Sequence, residues 1–205
     1  MMQRRLSLLV SLTLMITALL STGSAAAQGT APDEAALQAP AAVLYDQINN
    51  ASTRAVTAQN FEAGLNTFDS EAADDFVVPS GLLWTITSVE VLGRYEGASA
   101  RVASSANVRF YNHSGASLPN TLVYDASFVP SGGLNDGNFV INLSPAASLF
   151  TGTYWVSVQA NLDFNPDGRQ WQWIERTVQS GNAAAFRNPG GDVSPGICTS
   201  WGTLS

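Results

Sequence analysis

The run Gly152-Thr-Tyr-Trp-Val-Ser-Val-Gln-Ala160 decides the fold. Tyr154, Val156 and Val158 fall on one side of an extended chain, and Trp155, Ser157 and Gln159 fall on the other. A period of two in aromatic and β-branched residues, entered through Thr151-Gly152, is the pattern of a half-buried strand. One strand cannot bury its apolar face alone, so the remaining chain must provide a facing sheet.

Similar runs occur on both sides. Phe76-Val77-Val78 leads into Pro79-Ser80-Gly81, which reads as a turn. Trp84 and Ile86 occupy even positions, whereas Val89, Val91 and Tyr95 occupy odd ones. This phase slip near Thr87-Ser88 predicts a bulge or a strand bend. Gly93 falls where a crowded face leaves no room for a side chain. Residues 106–111, 121–128 and 139–143 alternate in the same way, the last run halted by Pro145, and 170–178 is the final clear strand. Residues 51–75 read as an irregular excursion with short strands, and the Gly/Pro-rich tail from Asn182 is expected to wrap a sheet edge with Trp201 as its anchor. Many short strands, frequent turns and no amphipathic helix predict an all-β, antiparallel β-sandwich of jelly-roll type.

The N-terminus has a different character. Arg4 and Arg5 precede an apolar run from Leu6 to Leu20 and a small-residue stretch ending Ala25-Ala26-Ala27. That is the layout of a signal peptide over residues 1–27, with cleavage before Gln28. The apolar run is shorter than the ~20 residues a membrane span needs, so no span is expected after cleavage. Residues 28–42 are rich in Ala and Pro and read as a linker, leaving 43–205 as the domain. The expected location is secreted or cell-envelope.

All nine basic residues are arginine, so lysine Schiff-base and P-loop chemistry are excluded. With Arg4 and Arg5 in the leader, seven arginines face 16 carboxylates, a formal charge of −9. Such a chain has no basic stripe to neutralise phosphates, so no nucleic-acid partner is expected. Cys198 is the only cysteine; the core must hold without an internal disulfide, and the thiol is expected to tuck beside Trp201.

In chain order, Asp74-Asp75-Phe76-Val77-Val78-Pro79, Trp84-Thr85-Ile86, Gly152 to Gln159, Gln170-Trp171-Gln172-Trp173 and Asn188-Pro189-Gly190-Gly191 resemble an uncharacterised family of bacterial exported β-sandwich domains. Those domains are found alone or appended to larger secreted proteins. The resemblance covers roughly residues 43–201 and implies fold and location, without implying a reaction.

Candidate chemistry is sparse. Asp163, Asn165 and Asp167 sit in Asp163-Phe164-Asn165-Pro166-Asp167-Gly168, which matches the first half of a calcium loop. The twelfth position, where a bidentate Glu belongs, is Ile174, and the same residues also fit a hairpin turn whose Gly takes a positive φ. Asp69, Glu71, Asp74 and Asp75 form an acidic cluster that a hard cation would relieve, or that simply caps a strand in solvent. Trp171 and Trp173 share one strand face, with Gln170 and Gln172 on the other. Exposed, the indoles make a stacking platform for sugar rings; buried, they are core. His113 stands alone in an Asn-His-Ser-Gly turn, with no Gly-x-Ser-x-Gly elbow to pair with it. The expectation is a non-enzymatic exported module for binding, adhesion or surface interaction, with an extracellular glycan or surface protein as partner. A calcium-stabilised carbohydrate-binding module and a hydrolase with paired carboxylates are the alternatives.

Overall fold

A computed structural model of the chain describes the backbone of residues 6–10 and the whole of residues 42–193 and 198–204. The signal-peptide and linker assignments fall outside the described residues, apart from the short stretch Leu6–Val10 and Ala42. The strands are β1 (Leu6–Val10), β2 (Ala42–Asp46), β3 (Ala51–Thr57), β4 (Gln59–Asn60), β5 (Glu71–Val91), β6 (Gly93–Glu96), β7 (Ser105–His113), β8 (Pro119–Phe128), β9 (Phe139–Asn161), β10 (Gln170–Arg176), β11 (Ala185–Arg187) and β12 (Gly202–Thr203). The larger sheet runs β12-β11-β5-β9-β7-β8, with β1, β2 and β4 attached at its flanks; β3-β10-β6 form the smaller one. All pairings are antiparallel except the short β4–β9 contact, so the all-β sandwich expected from the alternation is the fold.

The β5–β9 ladder is its spine, running from Ala73 opposite Ser157 to Val91 opposite Phe139. Its register breaks twice. One break lies between Ile86 and Ser88, where the sequence changes phase. The other lies between Val78 and Leu83, and corrects the turn expected at Pro79-Ser80-Gly81: the residues bulge out of one continuous strand. Gly81 supplies the left-handed backbone there, at φ 79°. Pro145 does not end β9 either. It sits opposite the Ile86/Ser88 break, where a missing N–H removes no ladder bond. Residues 51–70 form β3 and β4, as short strands were expected to, plus an unforeseen 3-10 helix over Ala63–Phe68, whereas 71–75 already belong to the long strand β5 and not to the irregular excursion. Gly168 takes the positive φ of its turn, at 71°, but the turn carries the chain between sheets and is a crossover, not a hairpin.

Between the sheets lies the main core: Phe76, Ile86, Phe110, Phe139, Ile141, Trp171 and Trp173 are fully buried. Phe76 is its hub, with the rings of Trp84, Phe110 and Tyr154 centred about 6 Å away. Trp171 stacks on Phe139 at 4.9 Å and donates its indole N–H to the Gly137 carbonyl at 3.0 Å. Gly93 faces that indole, as the crowding argument required. On the opposite face of the larger sheet, Ala73, Tyr111, Trp155 and Ala185 form a second, smaller cluster, covered by Leu118 and Trp201. The tail thus wraps the β5 edge through β11 and β12, and Cys198, half-buried and unoxidised, packs against the main core.

Candidate functional site

Alternation sends Phe76, Val156 and Phe110 into the core, so their neighbours must form a second surface. Across β5, β9 and β7 the register sets Ala73 beside Ser157 beside Arg109, and Asp75 beside Trp155 beside Tyr111. At the β5 edge Glu71 pairs directly with Arg187 of β11. Of these positions Glu71, Arg109, Tyr111 and Arg187 line a concavity of about 490 Å³, whose walls also include Asn60, Asp69, Asn120, Leu122, Asp125 and Gln159.

Glu71 is the keystone, 3% exposed. One carboxylate oxygen accepts the Tyr111 hydroxyl at 2.6 Å and lies 3.5 Å from Arg109 Nη1. The other accepts Arg187 Nε at 2.9 Å and Nη2 at 2.6 Å, a two-pronged charge-assisted contact. Arg109 also donates to Gln159 Oε1 at 2.9 Å and pairs with Asp125 at 3.0 Å. Gln159 in turn donates to the Ser70 carbonyl. The Arg187 guanidinium lies over the Trp201 ring at 4.5 Å and over Tyr111 at 5.7 Å, which fixes its plane. Burial, and then the Glu71 charge, push the Tyr111 hydroxyl well above its ordinary range, so it stays a proton donor. Burial also raises the Asp69 carboxyl, although it accepts the Phe61 N–H at 2.7 Å.

The basin is therefore a preorganised lattice of donors and acceptors. Both Glu71 oxygens are held by protein partners, and the raised Tyr111 hydroxyl keeps its proton. Three carboxylates (Asp69, Glu71, Asp125) and two guanidinia (Arg109, Arg187) line the basin.

The residues singled out from the sequence lie elsewhere, apart from Asp69 and Glu71. Trp171 and Trp173 are both completely buried, which corrects the sugar-stacking platform: the small sheet turns their shared face inward. Gln170 accepts a hydrogen bond from Thr57, and Gln172 bridges Arg94 and Glu96. The candidate calcium residues are not brought together. Asp167 pairs with Arg101, and Asn165 donates its amide to Glu62. Asp163 is exposed, and Asp69 caps Phe61. Asp74 and Asp75 are buried within β5 on opposite faces, and Asp75 accepts the backbone and side-chain N–H groups of Asn182, both at 2.8 Å. Among the described residues no group of three or more His, Cys, Asp or Glu side chains is placed to hold a metal. The acidic cluster is thus no solvated cap. Only Asp69, together with its neighbour Glu71, lines the basin. His113 is not a free turn residue either: its ring stacks on Trp155 and Nδ1 accepts the indole N–H at 3.2 Å.

Arg109, Tyr111, Gln159 and Arg187 carried no motif. For Arg109, Tyr111 and Gln159 a weaker signal existed, a polar or polar-tipped residue at an outward position of an alternating strand; Arg187, in the tail, had none. The fold and this basin define an antiparallel β-sandwich with a charged, hydrogen-bonding concavity on the free face of its larger sheet. No family model, curated protein or solved structure matches the chain. Among the described residues no helix is long and apolar enough to cross a membrane.

Proposed function

We propose that the chain is an exported, non-catalytic binding module that takes a neutral polyhydroxylated ligand, a glycan of a surface or matrix, in the basin around Glu71. The observation that carries this is the network itself: a buried carboxylate held by Tyr111, Arg109 and Arg187, with the remaining donors and acceptors turned towards a concavity of about 490 Å³. Rigid, pre-satisfied groups lose little entropy when a ligand docks, which suits binding. Hydrolysis by paired carboxylates is the weaker reading, because a general acid or base must be free to exchange its proton and Glu71 is fully engaged. Export rests on the leader pattern of residues 1–27. A glycan array followed by calorimetry on the exported chain tests the proposal. Neutral oligosaccharides should bind in preference to uronic or sialic acids, and Arg109→Gln should weaken binding at least ~10-fold through loss of a charge-assisted contact. Preference for acidic sugars, absence of any glycan binding, or indifference to Arg109→Gln would each reject it.

A further inference from the structure

Beyond the basin, the middle of the β5–β9 ladder carries a different surface. Val77, Leu82, Leu83 and Phe150 are between 49% and 69% exposed. Leu83 lies directly across from Phe150, and Val77 across from Thr153. Val77, Leu83 and Phe150 alternate with the buried Val78, Trp84 and Leu149, so these three share the outer face, with Leu82 exposed in the adjoining bulge. Scattered exposed apolar residues need no explanation, but a contiguous group held on a rigid ladder does.

The surroundings say what covers it. No charged residue occurs from Val77 to Val89 or from Gly137 to Leu162. At its centre is the Pro79–Leu82 bulge, irregular backbone that a water-facing loop would leave to solvent. Part of it is closed internally: Thr151 Oγ1 accepts the Gly81 N–H at 2.8 Å and donates to the Pro79 carbonyl at 3.0 Å, with the Leu82 carbonyl 3.4 Å away. A lipid surface favours a charge-free face whose bulge is clamped in this way, because little water reaches the hydrocarbon boundary to complete an open backbone group. A protein partner would tolerate open groups and would be expected to meet charges around the rim. We infer that this patch seats the domain on a lipid surface by shallow insertion of Leu82, Leu83 and Phe150. Because the exported chain is acidic, seven arginines against 16 carboxylates for a formal charge of −9, that surface is zwitterionic rather than anionic.

The experiment is flotation of the exported chain with phosphatidylcholine vesicles, and with vesicles containing phosphatidylglycerol, comparing the unaltered protein with Leu82→Ser and Phe150→Ser. Both side chains are exposed, so both variants should keep the parent's melting temperature within a few degrees. Each should lose about 10-fold in partition to phosphatidylcholine, the scale set by one large apolar side chain returned to water. Anionic lipid should not improve binding. The inference is overturned if the parent protein does not float, if the variants float equally well, or if sedimentation velocity instead shows a self-associated form that Phe150→Ser abolishes.

Discussion

Replacing Gly93 by alanine tests the packing between the sheets most directly. A Cβ built on Gly93 lies 2.5 Å from three atoms of the Trp171 indole, Cε2, Cζ2 and Nε1. That is well inside van der Waals contact, so something must move. The indole is not free to do so: it stacks on Phe139 at 4.9 Å and its N–H is held by the Gly137 carbonyl at 3.0 Å. Overpacking of this kind costs about 1–3 kcal/mol. If the ring tilts away, the hydrogen bond, worth about 1 kcal/mol, and part of the stacking, about 0.5–1.5 kcal/mol, are lost as well. The expected destabilisation is thus about 2–5 kcal/mol, which for a domain of this size lowers the melting temperature by roughly 5–15 °C. Circular dichroism melts of the variant and of a Gly64→Ala control, where a Cβ meets nothing within 4 Å, give the comparison. A Gly93→Ala melt within ~2 °C of the parent would refute the picture of a pinned indole, in line with the shift per kcal/mol used above.

Three further outcomes are expected. Glu71→Gln leaves two part-buried guanidinia short of a counter-charge and should cost about 1–3 kcal/mol in urea unfolding, less than a fully buried pair because the arginines keep some solvent and Arg109 keeps Asp125. Adding Arg187→Gln should recover part of that loss; strict additivity in the double-mutant cycle would deny the coupling. Burial raises the Asp75 carboxyl above its ordinary 3.8, against the opposing bonds from Asn182. A raised folded value means that the folded state holds the proton more tightly, so stability from this group is complete below 3.8 and is lost as pH rises through the folded value. Asp75→Asn should therefore flatten the decline of stability across that window, and an unchanged slope would contradict the assignment. Thr151→Val removes the clamp on the bulge and should speed hydrogen exchange at the Gly81 amide by about 10-fold, one hydrogen bond's worth; unchanged exchange there would show that the loop is held by other means.

The in-and-out alternation could be read residue by residue because it is local. Val156 and Val158 face the core, the phase change at Thr87-Ser88 marks a true register break, and Gly93 stands where no side chain fits. The basin could not be read this way. Glu71 and Arg187 are far apart in sequence, and only the order β11-β5-β9-β7 puts them beside Arg109 and Tyr111. Trp171 and Trp173 show the same limit from the other side. Their shared face is plain from the spacing, but whether it points at solvent or at a facing sheet depends on pairing β10 with β3 and β6, which no local pattern encodes. Proline misled twice, at Pro79 and Pro145, because a long strand can absorb it wherever its register breaks.

The length of the β5–β9 ladder sets how the domain would answer a pull. Two strands of 21 and 23 residues lie antiparallel along most of the domain. A tether dragging one lengthwise past the other would strain its rungs together, as in shear, whereas a pull at a short edge strand such as β12 would peel rungs one at a time. Attachment along the spine would let the domain bear load, and attachment through the tail would let it come away under little force.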